Sequence, residues 1–258
     1  MKPLNIEAIH ESFTKQAGGF ESQFLNFSKE DYLIHTLTQV APGRQDTLLE
    51  VAAGTCICGR AFAPHVHNVV CLDATLPMLQ VGRKEALRAH LDNMIFVRGY
   101  AQELPFLDDS FDIVFSRLAF HHFPETDAAF LEMVRVLKPG GKLVMIDMEA
   151  PAEPLRRVRD HIETLRDPSH VKNLSHEEML ALFANHGLKV RQCTTTSIRQ
   201  NLKDWLALTQ TPENVQAQIT ARMEWELKGQ APSGFGPYLV DGNICFDQQW
   251  TLIIGETA

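Results

Sequence analysis

The chain has 258 residues, 45% of them apolar, enough to enclose one large core with or without an added lid. A formal charge of −8 and a pI near 5.8 set up long-range repulsion towards a phosphate backbone or an anionic bilayer, which argues against nucleic-acid and membrane partners. The opening Met1-Lys2-Pro3-Leu4-Asn5-Ile6-Glu7 is charged before any apolar run develops, no later stretch reaches bilayer length, and the five cysteines (Cys56, Cys58, Cys71, Cys193, Cys245) are odd in number, so a soluble, cytoplasmic protein without disulfides is expected.

The segment from Ile6 to Leu37 reads as helical. From residue 47 onward, short runs rich in Val, Ile and Leu alternate with helix-like segments, the pattern of a parallel sheet covered on both faces. The runs are Thr47 to Ala52, Val69 to Asp73, Met94 to Arg98, Phe111 to Phe115 and Lys142 to Asp147. Between them, Pro77 to Ala89 and Ala128 to Leu137 carry apolar residues at helical spacing, and Lys138-Pro139-Gly140-Gly141 supplies a basic end, a stop and a turn. Pro151 and Pro154 then interrupt the pattern before a charged amphipathic stretch from Leu155 to Leu165. Ser175 followed by Glu178 has the spacing of a capping box that opens a helix through Ala184, closed by Asn185-His186-Gly187. Leu188 to Ser197 and Ile244 to Ile254 fit two further strands, joined by a long excursion with helices at Leu202 to Leu208 and Val215 to Leu227. There is no internal repeat and no flexible linker.

The first strand runs into Glu50-Val51-Ala52-Ala53-Gly54-Thr55-Cys56-Ile57-Cys58-Gly59, where small residues let a ligand approach the backbone. Nineteen positions after Gly54, Asp73 closes the second strand, where a carboxylate can accept hydrogen bonds from ribose hydroxyls. A dinucleotide site shares this layout but needs a glycine at position 56, where the pyrophosphate comes close, and here stands Cys56. The acidic Glu50 would repel a pyrophosphate and suits a positively charged sulfonium amino acid. The balance favours S-adenosylmethionine.

Leu49 to Gly54, Cys71 to Met78, Gly99 to Asp112 and Arg135 to Gly141 together resemble the class I S-adenosylmethionine-dependent methyltransferases, most nearly their ubiquinone-biosynthesis-like small-molecule branch. The stretch Gly99-Tyr100-Ala101-Gln102-Glu103-Leu104-Pro105-Phe106-Leu107-Asp108-Asp109-Ser110-Phe111-Asp112 is similar to the one that borders adenine in that family, and Ser116-Arg117-Leu118-Ala119-Phe120-His121-His122-Phe123 to the segment beside the transferable methyl. Phe13-Thr14-Lys15-Gln16-Ala17 and Arg166-Asp167-Pro168-Ser169-His170 also look like signatures of the branch. The resemblance implies an α/β, Rossmann-like fold with a seven-stranded, mostly parallel sheet in the order 3-2-1-4-5-7-6, helices on both faces and a helical lid. It implies a single methyltransferase domain: a lid over 1–46, a cofactor-binding core over 47–150, a helical cap insertion over 151–186, and C-terminal strands and helices over 187–258. It places Glu50, Ala52, Ala53 and Gly54 at the methionine part of the cofactor, Asp73 and Ala74 at the ribose, Tyr100, Ala101 and Gln102 at the adenine with Met78 packed near the base, and Ser116 beside them. His121 and His122 are the candidates for a general base, and Arg117, Arg166 and His170 for contacts to a small-molecule acceptor. Two departures stand out: Cys56 adds bulk expected beside the amino-acid end of the cofactor, and Tyr100 replaces a common acidic residue.

Plainer readings compete at several positions. One of His121 and His122 can pack under the sheet edge while the other meets water. Arg166 can pair with Asp167 or Glu163 instead of a substrate. The indoles of Trp205, Trp225 and Trp250 can belong to the core as well as to an acceptor pocket. Cys56 and Cys58 lack the spacing of structural zinc, so no metal is expected. At the level of function, a nicotinamide-dependent oxidoreductase and a non-catalytic S-adenosylmethionine-binding protein stand beside the methyltransferase. A nucleic-acid amino-methylating enzyme lacks support, because Ser116-Arg117-Leu118-Ala119 is not the Asn/Asp-Pro-Pro-aromatic motif of such enzymes. The residues specify neither the acceptor atom nor an oligomeric state.

Overall fold

A computed structural model describes residues 4–21 and 30–257. Its first helix, α1 (Ile6–Gln16), ends where Gly18 and Gly19 withdraw helix propensity, and α2 spans Glu30–Val40. The sequence reading of one helical segment from Ile6 to Leu37 is interrupted at residues 17–19, helix resumes at Phe20 and Glu21, and its part over 22–29 lies outside the described residues. Then follow β1 (Thr47–Val51), α3 (Ile57–Phe62), β2 (Asn68–Asp73), α4 (Leu76–Arg88), β3 (Met94–Arg98), β4 (Phe111–Arg117), α5 (Thr126–Arg135) and β5 (Leu137–Met148). The second half holds α6 (Leu155–Arg166), α7 (His176–Asn185), β6 (Lys189–Asn201), α8 (Leu202–Leu208), α9 (Glu213–Leu227), β7 (Tyr238–Val240) and β8 (Asn243–Glu256).

The sheet runs β3-β2-β1-β4-β5-β8-β6, with β1 to β5 parallel and β8 antiparallel to both of its neighbours on this path. This is the expected seven-strand order, the last strand in sequence lying between β5 and β6. An eighth, short strand was not anticipated: β7 pairs with β8 across Asp241-Gly242, both at positive φ (48° and 76°), a two-residue hairpin turn whose Asp-Gly signal is present in the sequence. Lys138 to Gly141 do not form a separate turn. They belong to β5, which pairs Leu137 with Phe111 and then shifts register to pair Lys142 with Ile113.

Alternation along the central strands divides the core in two. Leu49, Val51, Leu143, Met145 and Ile253 face one side with Phe120, Phe130, Met133 and Phe183, whereas Leu48, Val144, Ile146, Leu252 and Ile254 face the other with Phe62, Leu79 and Val40. A third cluster joins Ile162 of α6 to Trp205 and Leu206 of α8, Ile219 and Met223 of α9, Phe235 and Phe246. This cluster packs α6, α8 and α9 together, while Met179, Leu182 and Phe183 of α7 join the first core cluster against the sheet. Among the described residues no helix is long and apolar enough to cross a membrane.

The capping box opening α7 forms as its spacing requires: the Ser175 hydroxyl accepts from the Glu178 N–H, and the Glu178 carboxylate accepts from the Ser175 N–H at 2.8 Å. Ser175→Ala is expected to lower the unfolding free energy by about 1 kcal/mol, read as a fall in denaturant midpoint at unchanged m-value.

Candidate functional site

The carboxyl ends of β1, β2 and β4 open into a cleft of about 920 Å³. The turn leaving β1 puts Ala52, Gly54 and Cys56 at positive φ (55°, 54° and 59°). Two buried carboxylates hold that turn. Asp73 accepts from the Gly54 N–H at 2.8 Å through Oδ2 and from the Thr75 N–H at 2.7 Å through Oδ1, and burial raises its carboxyl although both N–H groups oppose the shift. Glu50 accepts from the Gly59 N–H at 2.8 Å in α3. Burial pushes its carboxyl up to about 7, against the pull of Gly59 and the neighbouring Cys71 thiol. Glu50 is thus a carboxyl poised near neutrality rather than a fixed anion.

Of the residues expected at a cofactor, Glu50, Ala52, Ala53, Gly54, Asp73, Ala74, Met78, Tyr100, Ala101 and Gln102 all line this cleft. Ser116 does not: it is fully buried and donates its hydroxyl to the Val51 carbonyl at 3.0 Å, tying β4 to β1. Cys56 is corrected as well. Its left-handed backbone turns the side chain away from the cleft, to where a Cβ on Gly82 would stand 2.8 Å from its sulfur, so it adds no bulk beside a ligand. Cys58, by contrast, lines the cleft. The fit to an adenosine rests on an unspent donor: Gln102 Nε2 is buried without a hydrogen-bond partner on a wall of the cleft otherwise formed by Leu72, Met78, Tyr100 and Ala101. A base nitrogen acceptor would satisfy it.

A second chamber of about 690 Å³ adjoins the first, and Phe13, Phe20, Leu118 and His122 line both. His121, Arg166, His170, Trp205 and Trp250 line the second chamber, whereas Arg117 lines the first and sets its guanidinium over the rings of Tyr32 and Trp250. Trp225 lines neither and is half exposed. Arg166 forms the ion pair of its plainer reading: it lines the chamber while giving Nη1 to Glu163 at 3.3 Å and Nε to the Trp205 carbonyl at 3.0 Å. His170 contacts Asp160 at 3.0 Å.

The two adjacent histidines have opposite electrostatics. His121 Nδ1 lies 2.6 Å from Asp147 Oδ1, and Asp147 also accepts from the Phe120 and Met148 N–H groups at 2.7 Å. Burial works against charge on both, yet each stabilises the other, so His121 is raised and Asp147 lowered. The carboxylate can only accept, so His121 carries its proton on Nδ1 and leaves Nε2 as the proton acceptor. Burial, then the nearby charge of His121, lowers His122 and leaves it neutral. His122 Nδ1 faces the Ser169 hydroxyl at 3.1 Å, which itself donates to Asp167 at 2.6 Å. Helix α1 closes over this group: Ser12 donates to Asp167 at 2.7 Å and Asn5 to the His122 carbonyl at 2.8 Å. Asp147, Gln200 and Gln248 were not singled out in sequence. Only Asp147 carried a usable signal, a carboxylate ending a strand next to the one that precedes the histidines.

A family model described as a methyltransferase domain matches residues 49–145. The methyltransferase YcgJ of Bacillus subtilis is 34% identical over 68% of this chain and 70% of its own length, and its crystal structure overlays with a TM-score of 0.80, covering 88% of this chain and 98% of that one at 30% identity. A demethylmenaquinone methyltransferase of Clavibacter sepedonicus is 31% identical over 78% of this chain and 80% of its own length.

Two measurements test the cleft. Asp73→Ala is expected to weaken S-adenosylmethionine binding by more than about tenfold, since it removes a carboxylate from the cleft and the anchor of the turn; calorimetry reads this directly. The Glu50 carboxyl near 7 takes up a proton below that pH, and a sulfonium favours its ionised form. Affinity should therefore rise with pH through about 7, and Glu50→Gln should flatten the rise.

Proposed function

This chain belongs to the class I S-adenosylmethionine-dependent methyltransferases, and from that premise we propose that it methylates a small, largely apolar acceptor seated in the second chamber. The shared wall of Phe13, Phe20, Leu118 and His122 carries this reading, because a methyl in the first cleft and an acceptor in the second would meet there. The cofactor supplies a methyl already activated by sulfonium charge. Asp73 and Ala74 hold the ribose, Gln102 with Tyr100, Ala101 and Met78 the adenine, and Glu50, Ala52, Ala53 and Gly54 the methionine end. Positioning then supplies much of the rate.

An acceptor that reacts through a hydroxyl or an activated ring carbon must lose a proton. His121 Nε2 takes it, its basicity supported by Asp147, which fixes the tautomer and stabilises the imidazolium that forms. The aromatic lining of Trp205, Trp250, Phe13 and Phe20 suits a flat ring, and similarity to the demethylmenaquinone methyltransferase of Clavibacter sepedonicus favours carbon methylation of a quinone-like ring. The net negative charge favours a small molecule over nucleic acid. Five free cysteines fit the reducing cytoplasm.

Turnover of S-adenosylmethionine with a panel of hydroxylated ring acceptors, followed as S-adenosylhomocysteine released, tests the reading. His121→Asn is expected to lower kcat by about a hundredfold or more with cofactor affinity unchanged. The rate should rise with pH as His121 loses its proton, and Asp147→Asn should move that rise to lower pH, because it removes the charge that raises His121. No turnover with any acceptor, in folded protein that binds the cofactor, would count against the proposal.

A further inference from the structure

The second chamber contains an unfilled hydrogen-bonding requirement of one sign. Among the described residues, two of the side chains lining it hold a buried polar atom without a hydrogen-bond partner: Gln200 through Oε1 and Glu163 through Oε1. Both atoms are acceptors. Glu163 Oε1 lies 4.0 Å from Arg159 Nε, an ion pair too long to be a hydrogen bond. Gln200 is only 1% exposed, and an unmet buried carbonyl is a cost that a ligand can remove.

The orientation of Gln200 is fixed by its neighbours. Trp250 Nε1–H can only donate, and it donates to Gln248 Oε1 at 3.2 Å. That contact sets Gln248 with its oxygen inward, where it also accepts from Gln200 Nε2 at 3.0 Å. Turning Gln200 over would place two carbonyl oxygens against each other. The indole therefore locks Gln248, Gln248 locks Gln200, and Oε1 of Gln200 remains as an acceptor on the chamber wall. The neighbouring donors Arg166 Nε and Nη1 are spent on the Trp205 carbonyl and Glu163.

Resting on the reading of this chamber as the acceptor site, we infer that Gln200 is a specificity-determining residue that selects acceptors carrying a hydroxyl or N–H donor over matched molecules in which that hydrogen is replaced by methyl. The consequence extends to the product. Once methylated at the atom facing Gln200, a molecule would lose its place on the wall, whereas methylation elsewhere on the same ring, at the shared wall, would leave that contact intact.

The test uses two matched probe pairs, 2-naphthol with 2-methoxynaphthalene and indole with 1-methylindole, titrated into the full chain saturated with S-adenosylhomocysteine. Dissociation constants come from calorimetry, and the Trp250 indole N–H resonance, one hydrogen bond from Gln248, reports occupancy of the chamber. The wild-type protein is expected to prefer the donor member of each pair by about tenfold, and Gln200→Leu to abolish that preference. Gln200 lies outside the cofactor cleft, so an unchanged S-adenosylhomocysteine affinity certifies that the variant is folded. Should it not fold, the wild-type ratio decides alone. Equal affinity for both members in the wild-type protein, with the indole resonance shifting, would overturn the role of Gln200 and leave the chamber standing as the acceptor site. Failure of all four probes to bind would overturn the acceptor-site reading and this inference together.

Discussion

The turn after β1 is the constraint on which the cofactor cleft depends. Three of its residues occupy left-handed backbone, and two of them, Ala52 and Cys56, carry a Cβ, at a cost of about 1 kcal/mol or more each. Asp73 and Glu50 oppose that cost through buried hydrogen bonds to the Gly54 and Gly59 N–H groups. The two carboxylates come from adjacent strands, β2 and β1, so the turn is fixed to the rigid centre of the sheet and its shape does not wait for a ligand. Space is managed by the same atoms: a Cβ at Gly59 would stand 2.6 Å from Glu50 Oε2 and 2.7 Å from Cys71 Sγ, so close packing of α3 on the sheet and the carboxylate bond require one another.

A second buried carboxylate centre organises the chemistry. Asp147, near the end of β5, accepts from the Phe120 N–H at the start of the histidine turn, from its own neighbour Met148 N–H, and binds His121 itself. Asp167 gathers Ser12 of α1 and Ser169, and through Ser169 reaches His122. Burial works against ionising Asp167, yet the Arg166 charge and these hydroxyls hold it well below the usual range. Helix α1 is therefore attached to the same network that sets the state of the histidines. Loss of α1 contacts would expose the shared wall and remove a partner of Asp167 at the same time.

Much of this was legible in the sequence because it is local. The strands themselves followed from alternating runs, their order in the sheet from the family resemblance, the capping box from Ser175 and Glu178, and the place of Asp73 from its nineteen-residue spacing to Gly54. What escaped depends on the direction of a side chain or on partners distant in sequence. Cys56 was expected beside the ligand, but its left-handed φ of 59° points it to Gly82. Ser116 lies in the right segment, and its hydroxyl faces the Val51 carbonyl inside the sheet. Asp147 lies twenty-six residues from His121, and Gln200 forty-eight from Gln248, so neither pairing could be read without the register of β5, β6 and β8. Arg166 shows a different limit: pairing with Asp167 or Glu163 and contact to a substrate were posed as alternatives, and the fold pairs it with Glu163 at the edge of a chamber.

The junction between the chambers also explains why two adjacent histidines need opposite charge states. A sulfonium in the first cleft and an imidazolium about 4 Å away would repel by about 4 kcal/mol at the effective dielectric of a partly shielded site. His122, which lines both chambers, is held neutral by burial and by the charge of His121. His121, which lines only the second, can carry a proton because Asp147 compensates it there. The wall through which a methyl would pass is completed by Phe13, Phe20 and Leu118, and such apolar groups exclude the water that would otherwise compete for an activated methyl. Under the proposed reaction, positive charge would thus be kept one residue back from the point of transfer, close enough for His121 to accept a proton from the acceptor and shielded enough not to destabilise the cofactor.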